Sequence, residues 1–352
     1  MYRYIILLIG FLIAQNLRSQ IKYEIKDFAP GKYKATVWID PESKDDVFKK
    51  GSVQIFDLQK NKPVIEVKSN ELTFDLDENN QIETNIKELP YGTQSLLIYE
   101  DVNFDGQPDL AIMDGQHSCY HGPSYKIYLQ TSKGLKYSQA FTDLAQNYCG
   151  MFQTDHETQQ LYTMTKSGCC WHQFTTFKVV DTVPKPVSIE EEDVTHFPYF
   201  ISHLTQWKNG QKYVKTIKIF SNEKEDIKPL LSFELQKNHK KVLVFETDGT
   251  LNYALLKKDG TIEFSFPFDA YSEPNKFNLT KNKQQLFFKN KGVKYEIFER
   301  KTAGKLKKID INVYLNGKKY TFKGNIHSLK GDLQSLKPHT FQNLFYVKES
   351  VN

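Results

Sequence analysis

The chain predicts a mainly β protein built of antiparallel meander or propeller-like sheets in two β regions. Three observations predict it. Strand-favouring aromatics are abundant, with 25 Phe and 20 Tyr against only 4 Met. Short runs alternate apolar and polar residues with period two. Asp-Gly and Asn-Gly pairs separate such runs at hairpin spacing. The length of 352 residues, 39% of them hydrophobic, suffices for two domains or one large β architecture with a sizeable core.

The N-terminal stretch MYRYIILLIGFLIAQNLRSQ places basic Arg3, an apolar run from Ile5 to Ala14 and polar residues around Ser19 in that order. The run is shorter than the roughly 20 residues a bilayer-spanning helix needs, and its three regions are those of a secretory signal. Residues 1–19 are therefore expected to be a cleaved signal, leaving no membrane span and a periplasmic or secreted protein. The first cysteine is Cys119, so no lipid anchor is expected at the cleavage site. Cleavage removes Arg3 and Arg18 and leaves 45 Lys plus Arg against 42 Asp plus Glu, a net charge of +3. So small an excess, spread along the chain, is not the footprint of a nucleic-acid-binding protein.

Residues 20–185 are expected to form a first β domain. Its strand-like runs include residues 33–39, 51–58, 63–69, 94–100, 109–114, 124–130, 160–167 and 174–180, with a short helix over 141–148. An acidic, proline-bearing stretch from Asp181 to Pro198 breaks this rhythm, and a linker or long loop is expected over 186–199. Residues 200–352 are expected to form a second antiparallel β domain. Hairpin turns are predicted there at Asp248-Gly249, Asp259-Gly260 and Asn316-Gly317.

The strongest local motif is DVNFDGQPDLAI, Asp101 to Ile112. Side-chain oxygens recur at Asp101, Asn103, Asp105 and Asp109, Gly106 supplies a sharp turn, and Gln107 offers its carbonyl. Hard oxygens in this order match Ca²⁺; nothing in the loop is soft enough for zinc or copper. Without a cation three carboxylates would repel one another at close quarters. The weaker alternative is an acidic turn paired to lysines. An apolar residue stands where a helix-loop-helix calcium site carries its bidentate Glu, the flanks read as strands, and Pro108 lies inside the loop, so a strand-loop-strand site is expected. Water, a main-chain carbonyl or Asp114 would complete the shell.

Four cysteines, Cys119, Cys149, Cys169 and Cys170, are expected to form disulfides in an oxidising compartment. A vicinal 169–170 bond is disfavoured by its strained ring. The expectation is that Cys119 and Cys149 pair with the doublet or with one another. With His117, His121 and His172 the same residues have the ligand types of a zinc site, but they lack a CxxC pair and oxidised thiols bind no zinc. No Gly-x-Ser-x-Gly elbow is present, and Glu190–Glu192 reads as a solvated charge run. No enzyme is expected.

The loop resembles the calcium sites of FG-GAP repeats, as in integrin-like propellers. LLIYEDVNFDGQPDLAIMDG (96–115), HGPSYKIYLQ (121–130) and SGCCWHQFTTFKV (167–179) together resemble the calcium-binding periplasmic proteins related to the lysozyme inhibitors that serve as immunity partners in bacterial type IV killing systems. The resemblance covers residues 20–185. It implies an all-β, propeller-like fold with one calcium loop, onto which Asp101, Asn103, Asp105 and Asp109 map. It also implies a lysozyme-like hydrolase or another envelope protein as partner, without transferring any inhibitory residue. A cell-surface or adhesion module with a structural calcium is the alternative.

Overall fold

A computed structural model describes residues 21–88, 92–221, 227–302 and 305–348. The expected signal, residues 1–19, lies outside the described residues. The chain is mainly β, as its composition predicts, and among the described residues its strands follow one another in five sheets whose neighbours are almost all consecutive.

The first sheet orders β1 (Ile21–Ala29), β2 (Tyr33–Ile39), β3 (Lys49–Asp57) and β4 (Lys62–Leu72) as an antiparallel meander. The second orders β5 (Leu97–Glu100), β6 (Asp109–Ser118), β7 (Gly122–Thr131) and β8 (Gly134–Tyr137) in the same way. Helix α1 (Gln139–Asn147) follows, where the apolar spacing of Phe141, Leu144 and Ala145 buries one face. A six-stranded sheet carries β9 (Gln153–Asp155), β10 (Gln160–Ser167), β11 (Trp171–Val180), β12 (Val183–Asp193), β13 (Tyr199–Lys208) and β14 (Gln211–Phe220).

The fourth sheet contains β15 (Lys228–Glu234), β16 (Lys241–Thr247), β17 (Thr250–Leu256) and β18 (Ile262–Phe266). The fifth contains β19 (Phe277–Thr280), β20 (Gln285–Asn290), β21 (Val293–Thr302), β22 (Lys305–Leu315) and β23 (Lys318–Lys323). Short β24 (Lys330–Gly331) then joins the fourth sheet beside β15, and β25 (Leu344–Val347) joins the fifth in parallel beside β19. Each predicted Asp-Gly or Asn-Gly turn closes a hairpin: β16–β17, β17–β18 and β22–β23. At the first and third, Asp248 and Asn316 take the positive φ that such turns demand, as do their glycines.

Two compact units emerge, and they are not the two consecutive stretches expected. Among the described residues, the first comprises those up to Ser167 with His172–Ile189 and Gln206–Lys212, and the second comprises Gly168–Trp171, Glu190–Thr205 and those from Tyr213 onward. The linker expected over 186–199 is corrected as well, because most of it lies in strand β12. Pro184 and Pro186 fall near the start of that strand, where a missing N–H is best tolerated, and only residues 194–198 form the connection to β13. Glu190 is exposed on this strand and accepts a hydrogen bond from the Ser202 hydroxyl at 3.0 Å.

The core of the first unit includes Val37, Ile55, Leu97, Leu110, Ile112, Tyr125, Ile127 and Phe152. Strand β6 is buried at every position except His117, the pattern of a strand covered on both faces. In the second unit the fourth and fifth sheets share a core with Phe233, Tyr253, Phe266, Phe277, Phe288 and Ile309. Phe266 stacks on Phe288 with centroids 4.2 Å apart, an offset aromatic contact in the middle of that core.

Candidate metal loop

The acidic motif forms the connection between β5 and β6, as expected. Glu100 and Asp109 face one another across the two strands, so the loop leaves and re-enters the sheet at one point. Inside it the side chains fold back on the main chain. Asp101 accepts from the Gly106 N–H at 2.8 Å and the Asp105 N–H at 3.2 Å; Asn103 accepts from the Asp105 N–H at 3.0 Å; Asp105 accepts from the Gln107 N–H at 2.8 Å. Such local acceptors curl the chain around its own oxygens. Gly106 sits at φ +84° with open space where a Cβ would be, so its requirement is conformational, not steric.

Asp109 differs from the others. Its residue is 1% exposed, and its two oxygens accept from the Val102 N–H at 3.1 Å and the Gln130 N–H at 2.7 Å. One carboxylate thus ties the loop to β6 and to the neighbouring strand β7. Burial pushes the Asp109 carboxyl up to about 7, the two N–H donors oppose the rise, and the charges of Asp105 and Asp101 add to it. A cation bound there would favour the charged carboxylate against both its burial and the charges of Asp101 and Asp105.

Among the described residues no three His, Cys, Asp or Glu side chains are gathered closely enough to hold a metal ion by themselves. A cation here would also need oxygens of other kinds, which Asn103 and the Gln107 carbonyl provide. The donor chemistry fits Ca²⁺: every candidate is a hard oxygen, and five come from Asp101, Asn103, Asp105, Gln107 and Asp109. Asp114, expected as one way of completing the shell, lies five residues beyond Asp109 on the same extended strand, about 16 Å from it at the rise of a β-strand. It is buried, with one oxygen accepting from the Ser124 hydroxyl at 2.7 Å and the other from the Gln146 amide at 2.8 Å.

A polar cluster beside the loop escapes any reading of the motif alone. Glu100 ion-pairs with the Lys87 ammonium and accepts from the Thr154 hydroxyl. The His156 Nε2 lies 3.3 Å from the same carboxylate, and its ring meets Phe104 of the loop edge-on at 5.7 Å. Burial lowers the pKa of Lys87, and the Glu100 charge partly restores it. Lys87, Gln130 and the Thr154–His156 segment come from three separate parts of the chain, and no local pattern marks them.

The cysteines resolve into Cys119–Cys149 and Cys169–Cys170. The second is the vicinal bond that ring strain disfavours, and that expectation is corrected. The hairpin between β10 and β11 brings the doublet into one tight turn, while Cys119 and Cys149 are already neighbours: Cys119 N–H donates to the Tyr148 carbonyl at 3.4 Å and Cys149 N–H to that of Met164 at 2.8 Å. The backbone thus places Cys119 beside Cys149 in the folded chain. All four sulfurs are oxidised, which leaves the thiolate–imidazole zinc alternative without its thiolates. His121 instead approaches Glu71 at 3.6 Å and packs on Phe48 at 5.0 Å, and His172 stacks with Phe174.

No protein-family model and no curated protein matches the chain. Among solved structures it is similar to a Xanthomonas type IV secretion system related protein, at 20% identity over 57% of this chain and 94% of that one, with a TM-score of 0.43. It is also similar to the β-propeller domain of the Trilobed protease from Pyrococcus furiosus, at 9% identity over 85% and 97% of the two chains and a TM-score of 0.24. Prolyl oligopeptidase B from Galerina marginata aligns at 9% identity over 90% of this chain and 43% of its own, with a TM-score of 0.23. Scores this low carry nothing about activity, and the β architecture rests on the chain's own strand order.

Proposed function

We propose that the chain is an exported, calcium-stabilised β protein that works as a binding module, with a lysozyme-like peptidoglycan hydrolase as its partner. The observation that carries this reading is the buried Asp109 carboxylate, which fastens the acidic loop to two strands of one sheet while lying among other negative groups. Calcium, when bound, supplies a fixed positive charge at that point. Asp101, Asn103 and Asp105 hold the loop curled by accepting its own N–H groups, and Asp109 anchors it to β7. A loop ordered before it meets a partner loses less entropy on association.

Export is supported by the basic, apolar and polar order of residues 1–19 and by two disulfides, which persist in oxidising compartments. Among the described residues no helix is long and apolar enough to cross a membrane. The partner class is supported by the sequence resemblance over residues 20–185. The test is a peptidoglycan clearance assay with several lysozyme types, run with the mature chain in calcium and in EDTA. Calcium-dependent slowing of clearance is expected. Unchanged clearance across all lysozymes, with calcium uptake intact, would turn the reading toward the adhesion alternative.

A further inference from the structure

Strand β23, Lys318 to Lys323, ends the fifth sheet and pairs only with β22 among the described residues. Its register sets Lys323 opposite Asp310, Thr321 opposite Asn312 and Lys319 opposite Tyr314. The Gly324 N–H donates to the Ile309 carbonyl at 2.9 Å, which makes Lys323–Asp310 a non-hydrogen-bonded pair. By the alternation of an antiparallel ladder, Lys319 and Thr321 then turn their N–H and C=O groups away from β22. The Lys323 carbonyl is already taken by the Gln236 N–H at 2.9 Å. Lys319 and Thr321 are left as an open edge, and every residue of the strand is exposed.

Beneath this edge the fourth and fifth sheets part, leaving an apolar groove of about 510 Å³. Tyr320 and Phe322 of β23 and Leu315 of β22 line one wall; they are 47%, 45% and 42% exposed. Leu255 and Phe264 line the other, with the Lys240–Glu263 ion pair, 2.6 Å, at the rim. Lysines alone would suffice to keep an edge from joining its copies. They give no account of the exposed aromatics beside an open groove.

We propose that β23 accepts one further strand from a partner: an extended segment whose residues alternate between apolar and acidic. Strand addition supplies the outward groups of Lys319 and Thr321 with main-chain hydrogen bonds. Apolar side chains at every second position then cover Tyr320 and Phe322 and close the groove. The acidic side chains between them fall on the face that carries Lys319 and Lys323. A second copy of this chain is a poor occupant, since its own β23 carries Lys318, Lys319 and Lys323 and no acidic residue to meet them. The inference concerns the second unit and does not depend on the calcium reading.

The test uses a fluorescent ten-residue peptide of alternating valine and glutamate, titrated with the mature chain and followed by anisotropy. Two comparison peptides have the same composition in two blocks, or lysine in place of glutamate. The alternating acidic peptide is expected to bind at least about tenfold more tightly than either. Thr321→Pro removes an outward N–H without touching the β22 ladder and is expected to lose about tenfold or more, whereas Thr321→Val binds as the parent does. Tyr320→Ser, which leaves the edge intact, should weaken the same peptide. Equal affinity for the block peptide, no binding at millimolar chain, or indifference to both Thr321→Pro and Tyr320→Ser would overturn the proposal. So would a dimer that Tyr320→Ser dissolves, because the edge would then belong to a second copy.

Discussion

The Asp109 carboxylate and the Gln130 backbone amide, 2.7 Å apart, join the end of an acidic loop to a strand that lies 21 residues further along the chain. The loop is therefore held by the sheet and not only by its own turns. Asp109→Ala would orphan the Gln130 and Val102 N–H groups together, and each buried group left unsatisfied costs about 1–3 kcal/mol. Urea unfolding in EDTA should show a loss of at least about 2 kcal/mol. An unchanged midpoint would mean that the loop is not anchored through this residue.

The Cys119–Cys149 bridge closes a segment of 30 residues. Constraint of the unfolded chain by a loop of that length is worth roughly 3–4 kcal/mol. Replacing both residues with serine should lower stability by about that much. The Cys169–Cys170 bond links adjacent residues, closes almost no loop, and its double serine variant should unfold near the parent midpoint. Equal losses in the two variants would contradict the account.

Lys218 is packed between rings, with its Nζ 3.9 Å from the centroids of both Tyr199 and Phe268 and 2.7 Å from the Ser265 hydroxyl. Burial pushes its pKa down to about 8, against a smaller upward pull from Asp269. In an unfolded chain a lysine titrates near 10.4. Between about pH 8 and pH 10 the unfolded state therefore holds more protons at this site, and the contribution of Lys218 to stability rises with pH across that window. Below pH 8 both states are charged and the burial penalty stands in full. Site-resolved NMR titration of the lysine side chains should find one amine with a midpoint well below the others, and Lys218→Met should remove it. A normal midpoint would contradict the argument.

Some of this was legible in the chain and some was not, and the division has physical causes. The Asp-Gly and Asn-Gly hairpins and the strand-loop-strand context of Asp101–Asp109 are local, set by φ preferences and alternation within a few residues. The supports of the loop are not local: Gln130 arrives on β7, and Lys87, Thr154 and His156 arrive from before and after it. Asp114 is close to the loop in sequence, but the extended course of β6 carries it away from Asp109 and toward Ser124 and Gln146, 10 and 32 residues on. The stretch 186–199 reads as a linker because two prolines and a run of three glutamates interrupt it, yet Val187, Ser188 and Ile189 are all half-buried within β12. Ring strain alone argues against the vicinal bond, yet Cys169 and Cys170 pair in the turn between β10 and β11.

Calcium should act on folding as any ligand of the native state does. At 100 times its dissociation constant it adds about 2.7 kcal/mol. Thermal melts in calcium and in EDTA should separate accordingly, and Asp105→Ala should bring the two curves together. A separation of equal size in Asp105→Ala would place the ion elsewhere in the chain.

The most direct test of the loop as a cation cage is equilibrium dialysis of the mature chain against radioactive calcium across the micromolar to millimolar range. The account predicts one calcium ion per chain, lost in Asp101→Ala and Asp105→Ala alike while both variants retain their fold. No uptake at millimolar calcium, or undiminished uptake in both variants, would contradict it.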